Sequence, residues 1–156
     1  MTQHGTTVQV LLAPISLERL TKDAGWIVRG TVQQVLPGAI AYDLLTKRRL
    51  VYTDTLILVK DQYKGELPVP TIIVRSLGGQ TPELSMSVPT APSFAPHEEV
   101  ILLLSKDAGQ HFLLEDNAFV VHGWASGKFS IEGEQAFSAI ERKPIPLENL
   151  VRIIKS

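Results

Sequence analysis

The stretch YKGELPVPTIIVRSLGGQT, from Tyr63 to Thr81, sets a Lys-Gly stop, a Pro-x-Pro turn, a β-branched run and a Gly-Gly pair in quick succession. Glycine supplies the positive φ that tight turns need, and proline withholds an N–H from any strand ladder, so this punctuation marks places where strands stop or bend. Gly65 ends one strand, Pro68 and Pro70 hold the connection extended, and TIIVRSL forms the next strand up to Gly78-Gly79.

The same grammar runs through most of the chain. WIVRGTVQQVL is rich in β-branched residues, and Gly30 in mid-run fits a bulge or sharp bend before Pro37-Gly38 ends the strand. AIAYDLLTKRRLVYTDTLILVKDQYKG predicts two strands folded back at the Thr46 to Arg49 corner, the second from about Leu50 to Tyr63. In it Val51, Thr53, Thr55, Ile57, Val59 and Tyr63 share one face by alternation, and Leu56 and Leu58 share the other, so its middle is expected to be buried on both sides. Pro82, Pro89, Pro92 and Pro96 make the segment from Gln80 to Pro96 a surface loop, long enough to be a functional candidate. EEVILLLS is a core strand, SKDAGQHF a hairpin turn with Gly109 at positive φ, and a β-meander follows with turns at Asp116-Asn117, Ser126-Gly127 and Glu132-Gly133.

A helix is expected near each terminus. The first starts from Ser16 as N-cap, places Leu17 and Leu20 on one face and ends by Gly25. The second runs from Leu147 to Lys155, with Pro146 at its first turn and Leu147, Leu150, Val151 and Ile154 on one face. The expected fold class is all-β: an OB-like five-stranded barrel with an additional β-hairpin and short N- and C-terminal helices. Residues 1–14 read as an extension and residues 15–156 as a single domain.

Composition narrows the chemistry. With 15 Lys and Arg against 16 Asp and Glu, the net charge of -1 supplies no long-range field to gather phosphates, which disfavours nucleic acid as a partner. The absence of cysteine removes disulfides, thiol nucleophiles and thiolate metal ligands. No apolar run approaches the roughly 18 residues of a membrane span. VQVLLAPI is short, follows no Lys or Arg, and is interrupted by Gln9 and Pro14, so no signal peptide is visible.

Candidate catalytic and metal motifs fail on spacing. HEEVI at His97 lacks the second histidine of H-E-x-x-H and lies at a strand, where Glu98 and Glu99 read as solvated charge. His122 reads as a strand-end histidine, since no Ser or Asp spacing suggests a relay. GWASGKFS has three residues, where a P-loop has four, before its Gly-Lys, and Phe129 stands where Ser or Thr belongs. Glu115, Asp116 and Asp107 lack EF-hand spacing and read as turn residues. No catalytic residue, metal site or cofactor is assigned. Lys47, Arg48 and Arg49 form the only basic triplet, either a polar hairpin corner or a contact for an acidic partner. Trp26 is expected beneath the first helix, and Trp124, in a glycine-flanked turn, is a candidate binding anchor. Aromatics are only 6% of the chain and TIIVRSL carries none, which weighs against base stacking.

The order SLERL, GWIVRGTV, YTDTLILVKDQYKG, IIVRSLGG, FAPHEEVILLLS and VVHGWASGKFSI resembles a widespread group of bacterial domains with an OB-like barrel. Their layout is similar to the netrin-like module of the tissue inhibitors of metalloproteinases, and the likeness spans roughly Leu17 to Ile131, with Lys64-Gly65 and the run from His97 to Leu103 at matching places. The resemblance implies a non-catalytic domain that binds another protein, in the cell envelope or outside the cell. It also implies a contact edge at one end of the barrel, including the Thr46 to Arg49 corner, with Trp124 as a further member. The inhibitors' zinc-chelating N-terminal cysteine has no counterpart here, so their chemistry does not transfer. An OB module for oligosaccharide or nucleic acid and an enzyme of unrecognised type are the alternatives.

Overall fold

A computed structural model describes residues 4–7, 16–43, 47–67, 69–106, 118–140 and 143–156. In chain order the elements are β1 (His4–Thr7), α1 (Leu17–Asp23), β2 (Trp26–Val35), β3 (Ala39–Asp43), β4 (Arg48–Lys64), β5 (Thr71–Leu77) and β6 (Gly79–Gln80). There follow β7 (Leu84–Ser87), β8 (Glu99–Lys106), β9 (Phe119–Val121), a 3-10 turn (Trp124–Gly127), β10 (Lys128–Glu132), β11 (Gln135–Ser138), β12 (Pro144–Pro146) and α2 (Leu147–Lys155).

Strand β2 lies between β4 and β8, β4 continues to β5, and β5 runs parallel to β9. Because β9 then pairs antiparallel with β8, the ring β2-β4-β5-β9-β8 closes. This is the expected all-β, OB-like five-stranded barrel, with extra strands and a short helix toward each end.

Period-two alternation sorts the apolar residues between two layers. Val28, Val32, Ile57, Ile72, Val74, Val100, Leu102, Leu104, Phe119 and Val121 fill the barrel. Their strand neighbours Ile27, Ile101 and Leu103 point outward, where Leu20 and Ala24 from the α1 side, Leu150 and Ile154 of α2, and Phe129, Ile131 and Ala136 bury them. Gly30 lets β2 cross β4 closely: a Cβ there would lie 2.5 Å from the Leu58 carbonyl oxygen and 2.8 Å from Ile57 Cγ2. The ladder slips between Arg29 and Gly30, as expected of a bulge.

The Lys64-Gly65 pair has a structural explanation. The Ser16 side chain accepts from Arg19 N–H at 3.2 Å at the start of α1. At the other end Lys64 Nζ donates to the carbonyls of Thr21 and Lys22 at 3.0 and 2.9 Å, satisfying acceptors that a helix C-terminus leaves open. Gly65 turns at φ 77 against Trp26, whose indole donates to the Glu66 carbonyl at 3.1 Å.

Several expectations need correction. Trp26 packs on the barrel cluster, edge-on to Phe119 at 5.1 Å, instead of beneath α1, a place that its neighbour Ile27 takes. Tyr63 turns to the outer cluster, away from Ile57, because the β2–β4 register slips between Ile27 and Val28 and again between Arg29 and Gly30. Leu56 and Leu58 are half-buried. The segment from Gln80 to Pro96 contains β7, which runs parallel to β1 within the expected N-terminal extension and is held by buried Met86 and Val88. The turns assigned to Gly109 and to Asp116-Asn117 lie outside the described residues, as does Pro68. No helix among the described residues is long and apolar enough to cross a membrane.

Candidate contact site at the β3–β4 hairpin

Strand β4 has β5 beside it only from Tyr52 and β2 only from Thr55, so among the described residues the ladder partner of 48–51 is β3. The hairpin register sets Tyr42 opposite Arg49, Asp43 opposite Arg48 and Ile40 opposite Val51. Val51 is fully buried in a third apolar cluster with Met86 and Val88, against which Leu50, Leu77, Leu84, Ala91 and Trp124 pack. Gly78 N–H donates to Val51 O at 2.7 Å, and Thr53 Oγ1 to Gly78 O at 2.8 Å. The root of the hairpin is therefore braced.

On the β4 side of its far end the described residues are exposed cations. Lys47, Arg48 and Arg49 are all exposed, and Tyr42 keeps 46% of its surface open. Lys47 adopts φ 58 and its N–H donates to Asp43 O at 2.8 Å, fixing the turn on which the triplet starts. Arg49 meets Glu83 at 3.3 Å, but with both side chains more than half exposed such a pair holds little. Trp124 follows Gly123 in a second left-handed step, φ 57 after φ 75. Its half-buried ring packs on the cluster that also holds the hairpin root.

The HEE motif disperses into separate tasks. His97 is exposed at φ 69, and its N–H donates to Val32 O at 2.9 Å. Glu98 receives Lys128 Nζ at 3.0 Å and Ser130 Oγ at 2.5 Å. Buried Lys128 also donates to the Ser93 carbonyl and lies over the Phe94 ring at 4.7 Å, so this group fastens the proline-rich segment to β10. Glu99 bonds Arg29 at 2.6 Å and, through that hydrogen bond, holds its pKa above the ordinary value. Among the described residues no group of three or more His, Cys, Asp or Glu is gathered for a metal.

Sequence spacing missed one pair with catalytic potential. His122 Nδ1 lies 2.8 Å from Ser105 Oγ, across neighbouring strands and 17 positions apart. Among the described residues no carboxylate bonds the imidazole, and a relay requires that third group. On the β4–β5 face, the surface OB folds use for oligonucleotides and oligosaccharides, Arg75 is bidentate to Asp54 at 2.8 Å and lies 4.6 Å over the Tyr52 ring. The cation and the aromatic ring of that face are thus engaged with each other.

A groove of about 950 Å³ lies between α1, the end of α2 and the end of β4. Glu18, Lys22, Asp61, Tyr63, Lys64 and Lys155 line it, charges of both signs with Lys64 committed to α1. No protein-family model and no curated protein matches this chain, so the functional reading rests on the barrel and on the hairpin's geometry.

Proposed function

We propose that the domain is a non-catalytic binding module that recognises another protein through the β3–β4 hairpin, the role the netrin-like resemblance implies. The observation that carries this reading is the exposed triplet Lys47, Arg48 and Arg49 at the start of β4, beyond a braced hairpin root, in a chain whose net charge is -1. Three consecutive exposed cations favour an acidic partner, and they do so locally, since the chain as a whole supplies no basic field. Loops on a rigid barrel vary without disturbing the core, so recognition groups collect there. Trp124, half-buried against the cluster at the hairpin root, is the further member of the proposed contact surface.

Two observations weigh against the alternatives. The Ser105–His122 pair lacks a carboxylate among the described residues, and the β4–β5 face has its cation and ring engaged with each other. The test is capture from an extract of the source organism at low salt by immobilised wild-type protein and by the Lys47→Ser/Arg48→Ser/Arg49→Ser variant. An acidic protein held by the first and lost by the second is the expected result. Equal capture by both removes the hairpin from the contact.

A further inference from the structure

We infer that residues 93–98 form a strap over one mouth of the barrel, with Phe94 as its plug and the Lys128–Glu98 pair as its latch, and that the strap lifts as a unit while the barrel stays folded.

The chain is anchored on both sides of this segment. Upstream, Val88 is buried, Ala91 packs on the third apolar cluster and the Thr90 carbonyl accepts from Ala125 N–H at 3.0 Å. Downstream, Val100 of β8 is fully buried. Between these anchors Ser93, Ala95, Pro96 and His97 are exposed, and Phe94 and Glu98 are half-buried. Phe94 packs against the cluster that fills the barrel, and the segment leads into β8 where the β2–β8 ladder ends at the Thr31–Glu99 pair. Two main-chain bonds tie it there: His97 N–H donates to Val32 O at 2.9 Å, and Val32 N–H to Glu98 O at 2.8 Å.

One lysine gathers the rest of the hold. The Lys128 side chain, 7% exposed, pairs with Glu98 at 3.0 Å, donates to the Ser93 carbonyl and lies 4.7 Å over the Phe94 ring. Glu98 also accepts from Ser130 Oγ at 2.5 Å and from Ala95 N–H at 3.2 Å. The first, second and last residues of the strap thus meet the same ammonium, so their contacts form and break together. Two features limit how firmly it closes. Burying the ion pair costs hydration, which offsets its attraction, and lifting returns Glu98 to water. His97 is held at φ 69, a left-handed conformation that an L residue adopts at a cost and that closure imposes. A segment with few apolar contacts and its own release of strain opens at a lower free energy than the core it covers. Lifting uncovers the barrel's apolar interior at that mouth, so the strap governs access to it.

The test is native-state hydrogen exchange of the full chain in low urea, read at the amides of Val32, Ala95 and His97 and, for reference, across β8. In the wild type the three amides should have protection factors at least about tenfold below the best-protected amides of β8. Their dependence on urea should be shallower, because a lifted strap exposes little surface. Lys128→Met should lower all three by a common factor, larger than any change at β8, and His97→Gly, which relieves the strain without removing a side-chain contact of the latch, should raise them. Equal protection and equal urea slopes at the strap and at β8 in the wild type would mean that the segment opens only with the whole barrel, which overturns the inference without any variant. Unequal responses of the three amides to Lys128→Met would mean piecemeal fraying, and a fall no larger than that at β8 would make Lys128 a brace of the barrel; either result also overturns it.

Discussion

From Thr55 to Lys64, β4 runs beside β2 as a wall of the barrel, whereas residues 48–51 ladder with β3 and carry exposed Arg48 and Arg49. In the barrel part Thr55 and Ile57 are 1% and 0% exposed. Each of those positions is fixed by what it touches. The basic residues of the arm are exposed, and the cluster at Val51 holds the arm's root. The difference separates what the fold requires from what is available for recognition, within one continuous strand.

The comparison breaks most readily where β4 enters the barrel. Asp54 forms the bidentate pair with Arg75, whose side chain is only 3% exposed. Asp54→Ala takes the bidentate carboxylate from that buried guanidinium and should cost about 3–5 kcal/mol in urea unfolding. Adding Arg75→Leu should recover part of the loss, because a buried charge stripped of its bidentate partner costs more than none there. A single variant as stable as wild type would mean that this part of β4 is no more constrained than the arm.

Ile57→Ala comes next, at about 2–5 kcal/mol, because it opens a cavity among side chains that fill the barrel. Gly30, on the strand facing it, is the opposite test. A methyl group there meets the Leu58 carbonyl and Ile57 Cγ2, neither of them the far end of a flexible side chain, so Gly30→Ala should cost about 1–3 kcal/mol by overpacking. If Gly30→Ala were neutral, the close crossing of β2 and β4 would not be what restricts this position.

Gly30 also marks how far sequence reasoning reached. A glycine inside a β-branched run reads as a bend from local chemistry alone, as do the Ser16 cap and the Gly65 stop. The side-chain consequences of the bend were not legible: slips in the β2–β4 ladder turn Tyr63 outward, and simple alternation cannot count them. Barrel closure depends on the parallel pairing of Val74 and Arg75 with Phe119 and Val120, a long-range contact that leaves no periodic trace. At the candidate site the triplet was visible as a charge run. Its neighbour Tyr42 was not, because only the register places it opposite Arg49. Ser105–His122 and Lys128–Glu98 were hidden for the same reason, being 17 and 30 positions apart.

The smallest expected effect sharpens the comparison most. Replacing Lys47, Arg48 and Arg49 together by serine should change unfolding stability by no more than about 0.5 kcal/mol, the usual range for exposed positions. Among the described residues the triplet's ion pair, Arg49 to Glu83, has 58% and 70% exposed side chains, so losing it removes little. Serine at position 47 inherits the same left-handed φ, so backbone strain is not relieved either. The stability difference between wild type and variant should also stay flat as salt rises to about 1 M, where the screening length falls to about 3 Å. Capture of an acidic partner by the wild type should decline over that range. A variant that loses several kcal/mol, or whose deficit shrinks with salt, would make the triplet part of the fold's own electrostatics, and the two parts of β4 would no longer differ in kind.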